Sequence, residues 1–309
     1  MMATLKFHLF GKFTVLRDAQ LVKGLDASKE QELLCYLLVR RDQCHPREAL
    51  ASLLWGNTST EKSKKYLRQA LWHVQAALEE TEFANQQVLV VERDWVQLNL
   101  RSGVWLDVAL FEQAFLAAED VPAEQLEDPE AQILKEAIDL YRGDLLDGWY
   151  QDWCLFERER LQNIYLSMLD KLMTYSELHR EYEACQTYGS TILRYDRARE
   201  RTHRQLMHLQ YMAGDRTGAL RQYKRCIEAL DEELGVKPER RTITLYEQIC
   251  ADRLNDGELV GSQLGSRSRA SLAEVLNLLK QLHLVLSVAQ KSVRRDIRAV
   301  EEGLKTMKQ

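Results

Sequence analysis

The sequence predicts a mainly α-helical fold with a small amount of β-structure confined to the first hundred or so residues. Only 4 prolines and 14 glycines interrupt 309 residues, so long helices can form with few breaks. Short alternations of apolar and polar residues occur near the N-terminus and again before residue 100, as expected for half-buried strands. Apolar residues make up 45% of the chain and charged residues 29%, which is typical of globular domains.

Short antiparallel strands are predicted at the N-terminus. Leu5, Phe7 and Leu9 alternate with polar residues, and the alternation resumes after Gly11, which gives a small sheet with one buried face. Three helical segments follow, and the third is the most clearly amphipathic. A capping pattern at residues 58–61 predicts its start, and its apolar stripe is spaced at i, i+4, i+7 and i+11. The stripe consists of Leu67, Leu71, Val74 and Leu78.

A β-hairpin is predicted after the third helix. Its strands cover residues 88–91 and 96–100, with a turn at Arg93 and Asp94. Strands, three helices and a hairpin in this order are typical of a winged helix-turn-helix. We therefore predict such a domain over residues 1–105, with the third helix as the recognition helix and the hairpin as the wing.

The polar side of the third helix carries the residues predicted to contact DNA. Cations in the first half of a recognition helix reach base edges and phosphates, and a cation on the wing reaches a minor groove or a phosphate. The predicted DNA-binding residues are Lys62, Lys64, Lys65, Arg68, Gln69, Trp72, His73 and Arg93. Two alternatives stay open from the sequence: the cations serve only solubility, and Trp72 packs against a neighbouring element.

Charge is distributed unevenly along the chain, whose net value is −5. Residues 1–105 contain 14 Lys and Arg against 12 Asp and Glu, and residues 106–266 contain 19 against 31. Residues 267–309 contain 9 against 4. An acidic middle between two mildly basic ends indicates separate roles along the chain.

The sequence contains no pattern typical of an enzyme, a cofactor site or a metal site. Its six cysteines are dispersed without a CxxC pair, which favours reduced, buried thiols in a cytoplasmic protein. No phosphate-binding loop, HExxH or GxSxG motif occurs. No apolar run approaches the roughly 20 residues of a membrane span, and no signal peptide is expected. We therefore expect a non-enzymatic, cytoplasmic protein without a cofactor or membrane partner.

Residues 106–254 are predicted to form consecutive helices with an internal repeat. A period near 34 residues, with small residues at packing points, is typical of tetratricopeptide-like helix pairs. Gly214 and Asp215 fit the turn between two such helices. Four residues recur 35 positions later: Tyr182, Ala184, Tyr188 and Ile192 as Thr217, Ala219, Tyr223 and Ile227.

Several segments carry a family resemblance. The N-terminal ones are LxFxLFGxFxV from residue 5, ASLLW at 51–55, YLRQAL at 66–71 and VWLDV at 104–108 with Phe111. The later ones are YRGDLLDGW at 141–149, ERERL at 157–161, the repeat around 214–223 and ELGVKP at 233–238, followed by LY at 245–246. Together they resemble the Streptomyces antibiotic regulatory protein (SARP) family, which joins an OmpR-type winged helix to a bacterial transcriptional activator domain.

The resemblance implies a function and one departure from the family pattern. It implies an activator that binds repeated elements in double-stranded promoter DNA and contacts the RNA polymerase holoenzyme through its helical domain. The family has more arginines in the second half of the recognition helix, where this chain has Trp72, His73 and Gln75. Fewer phosphate contacts are therefore expected there. The alternative is a tetratricopeptide-type interaction scaffold or ligand sensor with a weak DNA-binding module.

The C-terminal region is predicted to be a linker over residues 255–269 and a long amphipathic helix over 270–309. The helix has a 4-3 seam typical of coiled coils, which favours homo-oligomerisation, with packing back onto its own domain as the alternative. The seam residues are Leu272, Leu276, Leu279, His283, Leu286, Gln290, Val293, Ile297, Val300 and Leu304.

Overall fold

A computed structural model describes residues 5–25, 27–79, 88–99 and 104–253. The chain divides into two units, one that ends at Ile243 and one that begins at Thr244. Of the second unit, residues 244–253 are described. The predicted linker and the predicted C-terminal helix, with its whole oligomerisation seam, lie outside the described residues.

The strands of the described region form two small sheets. The first has the order β3-β2-β1-β7, in which β1 is antiparallel to β2 and parallel to β7, and the second has the antiparallel order β4-β6-β5. In β1, Leu5 and Phe7 face the core while Lys6 is exposed, as their alternation predicts. The strands are β1 (Leu5–His8), β2 (Thr14–Arg17), β3 (Gln20–Leu21), β4 (His45–Pro46), β5 (Leu89–Val91), β6 (Trp95–Leu98) and β7 (Val104–Leu106).

Three helices lie between the sheets in the sequence: α1 (Ser28–Val39), α2 (Arg47–Trp55) and α3 (Thr60–Glu79). They pack against one another, and the predicted apolar stripe of α3 is buried, at 0–7% exposure. The helix begins two residues later than the capping pattern predicts. The Thr58 hydroxyl donates to the Trp55 carbonyl at 2.9 Å, so Thr58 closes the turn after α2 instead of capping α3.

Consecutive helices make up the rest of the described chain, which confirms the mainly α-helical prediction. Helix α6 packs on α7, α7 on α8 and α8 on α9. No helix of the described residues is long and apolar enough to cross a membrane. The helices are α4 (Asp107–Ala118), α5 (Asp128–Ile138), α6 (Asp152–Leu178), α7 (Tyr182–Tyr195), α8 (Glu200–Met212), α9 (Arg216–Leu234) and α10 (Arg240–Ala251), with a short 3₁₀ turn at Ala123–Gln125.

The internal repeat has a period of 34 residues in the structure, not the 35 of the sequence alignment. Helix α7 begins at residue 182 and α9 at residue 216. The turns before them contain left-handed residues at equivalent positions, Arg180 (φ 60°) and Gly214 (φ 82°). Ile192 is fully buried and its equivalent at 34 residues, Cys226, is too, whereas Ile227 is 37% exposed. Burial therefore sets the register that residue identity misjudged by one position.

The sheet of β1 and the helical region share a buried carboxylate. Asp107, the first residue of α4, accepts hydrogen bonds from the amides of Leu9 (2.8 Å) and Phe10 (3.0 Å). Its other oxygen accepts from the Val108 amide at 2.7 Å. Burial raises the pKa of Asp107, and the three amide donors oppose that rise. The carboxylate thus satisfies the backbone where β1 ends and α4 begins.

Ion pairs also join α1 to the helical region. Glu112 of α4, whose side chain is 13% exposed, accepts from Arg41 at 2.5 Å and also pairs with Arg160 of α6. Arg40 pairs with Glu157 at 2.5 Å. The orientation of α1 is therefore fixed against α4 and α6 by side chains that lie more than 40 residues apart in sequence.

Candidate nucleic-acid interface

A tight turn sets the angle between α2 and α3. A Cβ added to Gly56 would lie 2.7 Å from the carbonyl oxygen of Ser52, a distance that backbone atoms do not tolerate. Only glycine therefore fits at this point. Leu54 before the turn and Leu67 after it are buried, so both helices present one side to the core and leave the other side of α3 free.

The side of α3 opposite its buried stripe carries five of the predicted DNA-binding residues. Trp72 is 65% exposed, and it follows Lys65 and Arg68 by seven and four positions, which places the three on one helix face. We call this face the outer surface of α3. It consists of Lys62, Lys65, Arg68, Gln69 and Trp72, all of which are exposed.

Two further predicted residues on α3 have partners within the chain. Lys64 donates to Glu48 of α2 at 2.5 Å, and this hydrogen bond lowers the pKa of Glu48. The Nδ1–H of His73 donates to Glu30 of α1. The structure therefore directs Lys64 toward α2 and His73 toward α1, at opposite edges of the outer surface.

The wing is the hairpin of β5 and β6, with Arg93 exposed in the turn between them. It is attached to the start of α2, because the Arg47 amide donates to Asp94 at 3.0 Å and the Arg47 side chain donates to Glu92 at 3.1 Å. Sequence reasoning did not identify Arg47. The available signal was weak: a cation directly after Pro46, at the first residue of a helix.

Arg17 of β2 holds the C-terminal end of α3. Its guanidinium donates to the carbonyls of Ala77 (3.2 Å) and Leu78 (2.7 Å), which belong to the last turn of the helix and lack partners within it. A cation at this end also matches the helix dipole. Nothing in the local sequence pointed to this contact, since donor and acceptors are about 60 residues apart.

The described residues contain no group of three or more His, Cys, Asp or Glu side chains that could hold a metal ion. Four cysteines are buried, while Cys44 and Cys250 are exposed. Burial raises the pKa of Cys185 and of Cys226 to about 12, so these thiols stay protonated and unreactive near neutral pH.

Comparisons with known proteins agree on one family. The bacterial transcriptional activator domain family model matches residues 106–250. The transcriptional regulatory protein MoaR1 of Mycobacterium tuberculosis (strain ATCC 25618 / H37Rv) is 23% identical over 265 residues, which are 83% of this chain and 82% of that protein. MoaR1 of Mycobacterium bovis (strain BCG / Pasteur 1173P2) is 24% identical over 263 residues, with the same coverage of both chains.

A solved structure shares the fold. Mycobacterium tuberculosis EmbR, in complex with a low-affinity phosphopeptide, superposes with a TM-score of 0.61 at 19% identity. The match covers 90% of this chain and 72% of the EmbR chain. With a winged helix in front of the matched domain, the chain belongs to the SARP-type transcriptional regulators that carry a bacterial transcriptional activator domain.

Proposed function

We propose that this transcriptional regulator binds double-stranded promoter DNA in a sequence-specific manner through the outer surface of α3. The observation that carries the proposal is the exposure of Lys65, Arg68 and Trp72 on one face of α3, opposite the buried stripe. A recognition helix in a winged helix-turn-helix enters the major groove with such a face. The exposed Arg93 then lies on the wing, where it can reach the neighbouring backbone.

Charge pairing supports the proposal. Within the described part of the chain, Lys62, Lys65 and Arg68 form no ion pair. Between residues 62 and 78, α3 contains no Asp or Glu. Cations without acidic partners are available for phosphates, and their binding releases counterions from DNA. If these three cations and Arg93 each neutralise one phosphate, log K falls with log salt with a slope of roughly −3.6 per chain.

The remaining steps of the proposal rest on the family resemblance. Two or more copies bind side by side on repeated promoter elements in the cytoplasm, and the helical domain contacts the RNA polymerase holoenzyme, so that the regulator acts as an activator. The seam over residues 272–304, in the part of the chain outside the described residues, is the segment we propose for contacts between copies.

A second candidate function is a protein-interaction scaffold. Exposed apolar side chains favour it: Tyr150 is 78% exposed and Phe156 is 70% exposed, close to the start of α6. Exposed apolar groups of this size are typical of binding surfaces. Under this interpretation the helical domain binds a protein partner and the winged helix contributes little DNA affinity.

The deciding experiment is selection of DNA from a random pool by the full-length protein, followed by gel shifts on selected sequences at low and moderate salt with excess random competitor. We expect enrichment of a repeated element and a salt slope near the value above. Arg68→Ala should weaken binding about tenfold, within the range for a single contact of this kind. Lys224→Ala, an exposed lysine on α9, is the matched control and should bind as wild type. Failure to enrich any sequence would contradict DNA recognition and favour the scaffold.

A further inference from the structure

We propose that Trp72 reads sequence directly, by packing its indole against the 5-methyl group of a thymine in the major groove. The inference rests on the proposed DNA binding and adds a base preference to it. The outer surface of α3 combines charged and polar residues with one large apolar side chain, and that side chain is the one among them that can distinguish a methyl group from its absence.

The position of Trp72 fits a contact with base edges. It is the thirteenth of the 20 residues of α3, one turn beyond Arg68 and Gln69 on the same face. Its indole is 65% exposed, so most of its apolar surface lacks cover from the described residues. Tyr66 is the other exposed aromatic residue of α3, but its ring lies 6.4 Å from that of Trp55, toward the turn after α2.

The indole of Trp72 is held in place. Its ring centroid lies 5.1 Å from the ring of His73, at an interplanar angle of 59°. His73 is itself fixed by its hydrogen bond to Glu30 of α1. A tryptophan that is ordered before binding loses little conformational freedom when it contacts a ligand. The chain Glu30–His73–Trp72 therefore presents an oriented apolar surface on the face that carries the cations.

The surroundings of Trp72 favour DNA over an apolar protein partner as the occupant of this surface. Lys65 and Arg68 flank the indole, and no acidic residue occurs between positions 62 and 78. That charge complements a phosphate backbone, whereas an apolar protein surface would have to desolvate both cations. In the major groove, the thymine methyl is the apolar group that projects from a base pair. Trp72 and thymine methyl are thus complementary within a charged setting.

The test replaces thymine by uracil, which removes the methyl and leaves the phosphates and hydrogen-bonding groups unchanged. After selection of a binding sequence, each thymine in the protected half-site is replaced singly, and the full-length protein is titrated on each DNA. At one position we expect about fourfold weaker binding, the effect of losing one buried methyl group. For Trp72→Ala, that ratio between thymine and uracil DNA should fall to about one.

Two further variants separate reading of the methyl from general effects on binding. Tyr150→Ala removes an exposed aromatic residue outside the winged helix and should keep the fourfold ratio. Glu30→Gln weakens the hold on His73 and should reduce the ratio while leaving the salt slope unchanged. A wild-type protein that binds all uracil substitutions as it binds thymine DNA would overturn the inference, and so would a ratio that persists in Trp72→Ala. Failure to select any DNA sequence would instead refute the proposed function itself.

Discussion

Arginine and lysine side chains have different surroundings in the winged helix and in the repeat region. In the repeat region, cations pair with acids: Arg197 with Glu232 at 3.0 Å, and Arg204 with Glu239 at 3.1 Å. On the outer surface of α3 the cations have no such partners among the described residues. The same residue types therefore stabilise local structure in one region and stay available for an external anion in the other. Pairing is a better guide to function here than the net charge of either region.

The comparison is broken most directly by giving the outer surface of α3 an acid of its own. Gln69→Glu places a carboxylate four residues after Lys65, where the two can pair, and brings negative charge toward the phosphates. We expect roughly a hundredfold loss of DNA affinity in a gel shift, since one cation is neutralised and one repulsion is added.

Gln69→Ala separates the loss of the amide from the gain of charge and should cost at most about tenfold. Glu232→Gln removes a charge from the repeat region and should leave DNA binding unchanged. Equal affinities for Gln69→Glu and Gln69→Ala would mean that the outer surface of α3 does not face phosphates.

The buried and exposed ion pairs differ in their effect on stability. Glu112→Ala removes the acid shared by Arg41 and Arg160, and should lower the free energy of unfolding by about 1–2 kcal/mol because two partly buried cations lose their partner. Glu232→Ala breaks an exposed pair and should change it by less than about 0.5 kcal/mol. Urea denaturation of both variants measures the difference, and similar values would show that the contacts of Glu112 are not structural.

Neighbouring lysines on α3 provide a finer test. Lys65→Ala should reduce the slope of log K against log salt by about one, as expected for the loss of one phosphate contact. Lys64→Ala should reduce it by less, because Glu48 already neutralises Lys64. Titrations at four or more salt concentrations resolve the two slopes. A larger reduction for Lys64→Ala would reverse the assignment of these residues.

The smallest expected effect concerns Asp107, whose charge is satisfied by backbone amides rather than by a cation. Burial raises its pKa above the ordinary 3.8, so the folded protein binds this proton more tightly than the unfolded chain. Stability from this group is therefore greatest at low pH and declines as pH rises from about 4 through the raised pKa. Asp107→Asn cannot titrate, and the difference in unfolding free energy between the two proteins should change with pH in that window. A constant difference would contradict the raised pKa.

The sequence predicted the outer surface of α3 but not the contacts that orient it. Helical spacing places Lys65, Arg68 and Trp72 together without reference to any other element. The contacts of Arg17 with the end of α3 and of His73 with Glu30 depend on residues that lie 43–61 positions away, which no local pattern encodes. The start of α3 was misplaced for a related reason: residues 58, 59 and 60 are all good capping types, and only the bond from Thr58 to Trp55 decides among them.

The shared carboxylate of Asp107 determines how the winged helix can be separated from the rest of the chain. Strand β7 runs across the predicted domain boundary between residues 105 and 106. A fragment that ends at residue 105 loses both the last residue of that strand and the acceptor for the Leu9 and Phe10 amides. The DNA-binding region has to be cut beyond Val108 to retain these bonds. Truncation at the apparent motif boundary would therefore yield a fragment with two unsatisfied buried amides.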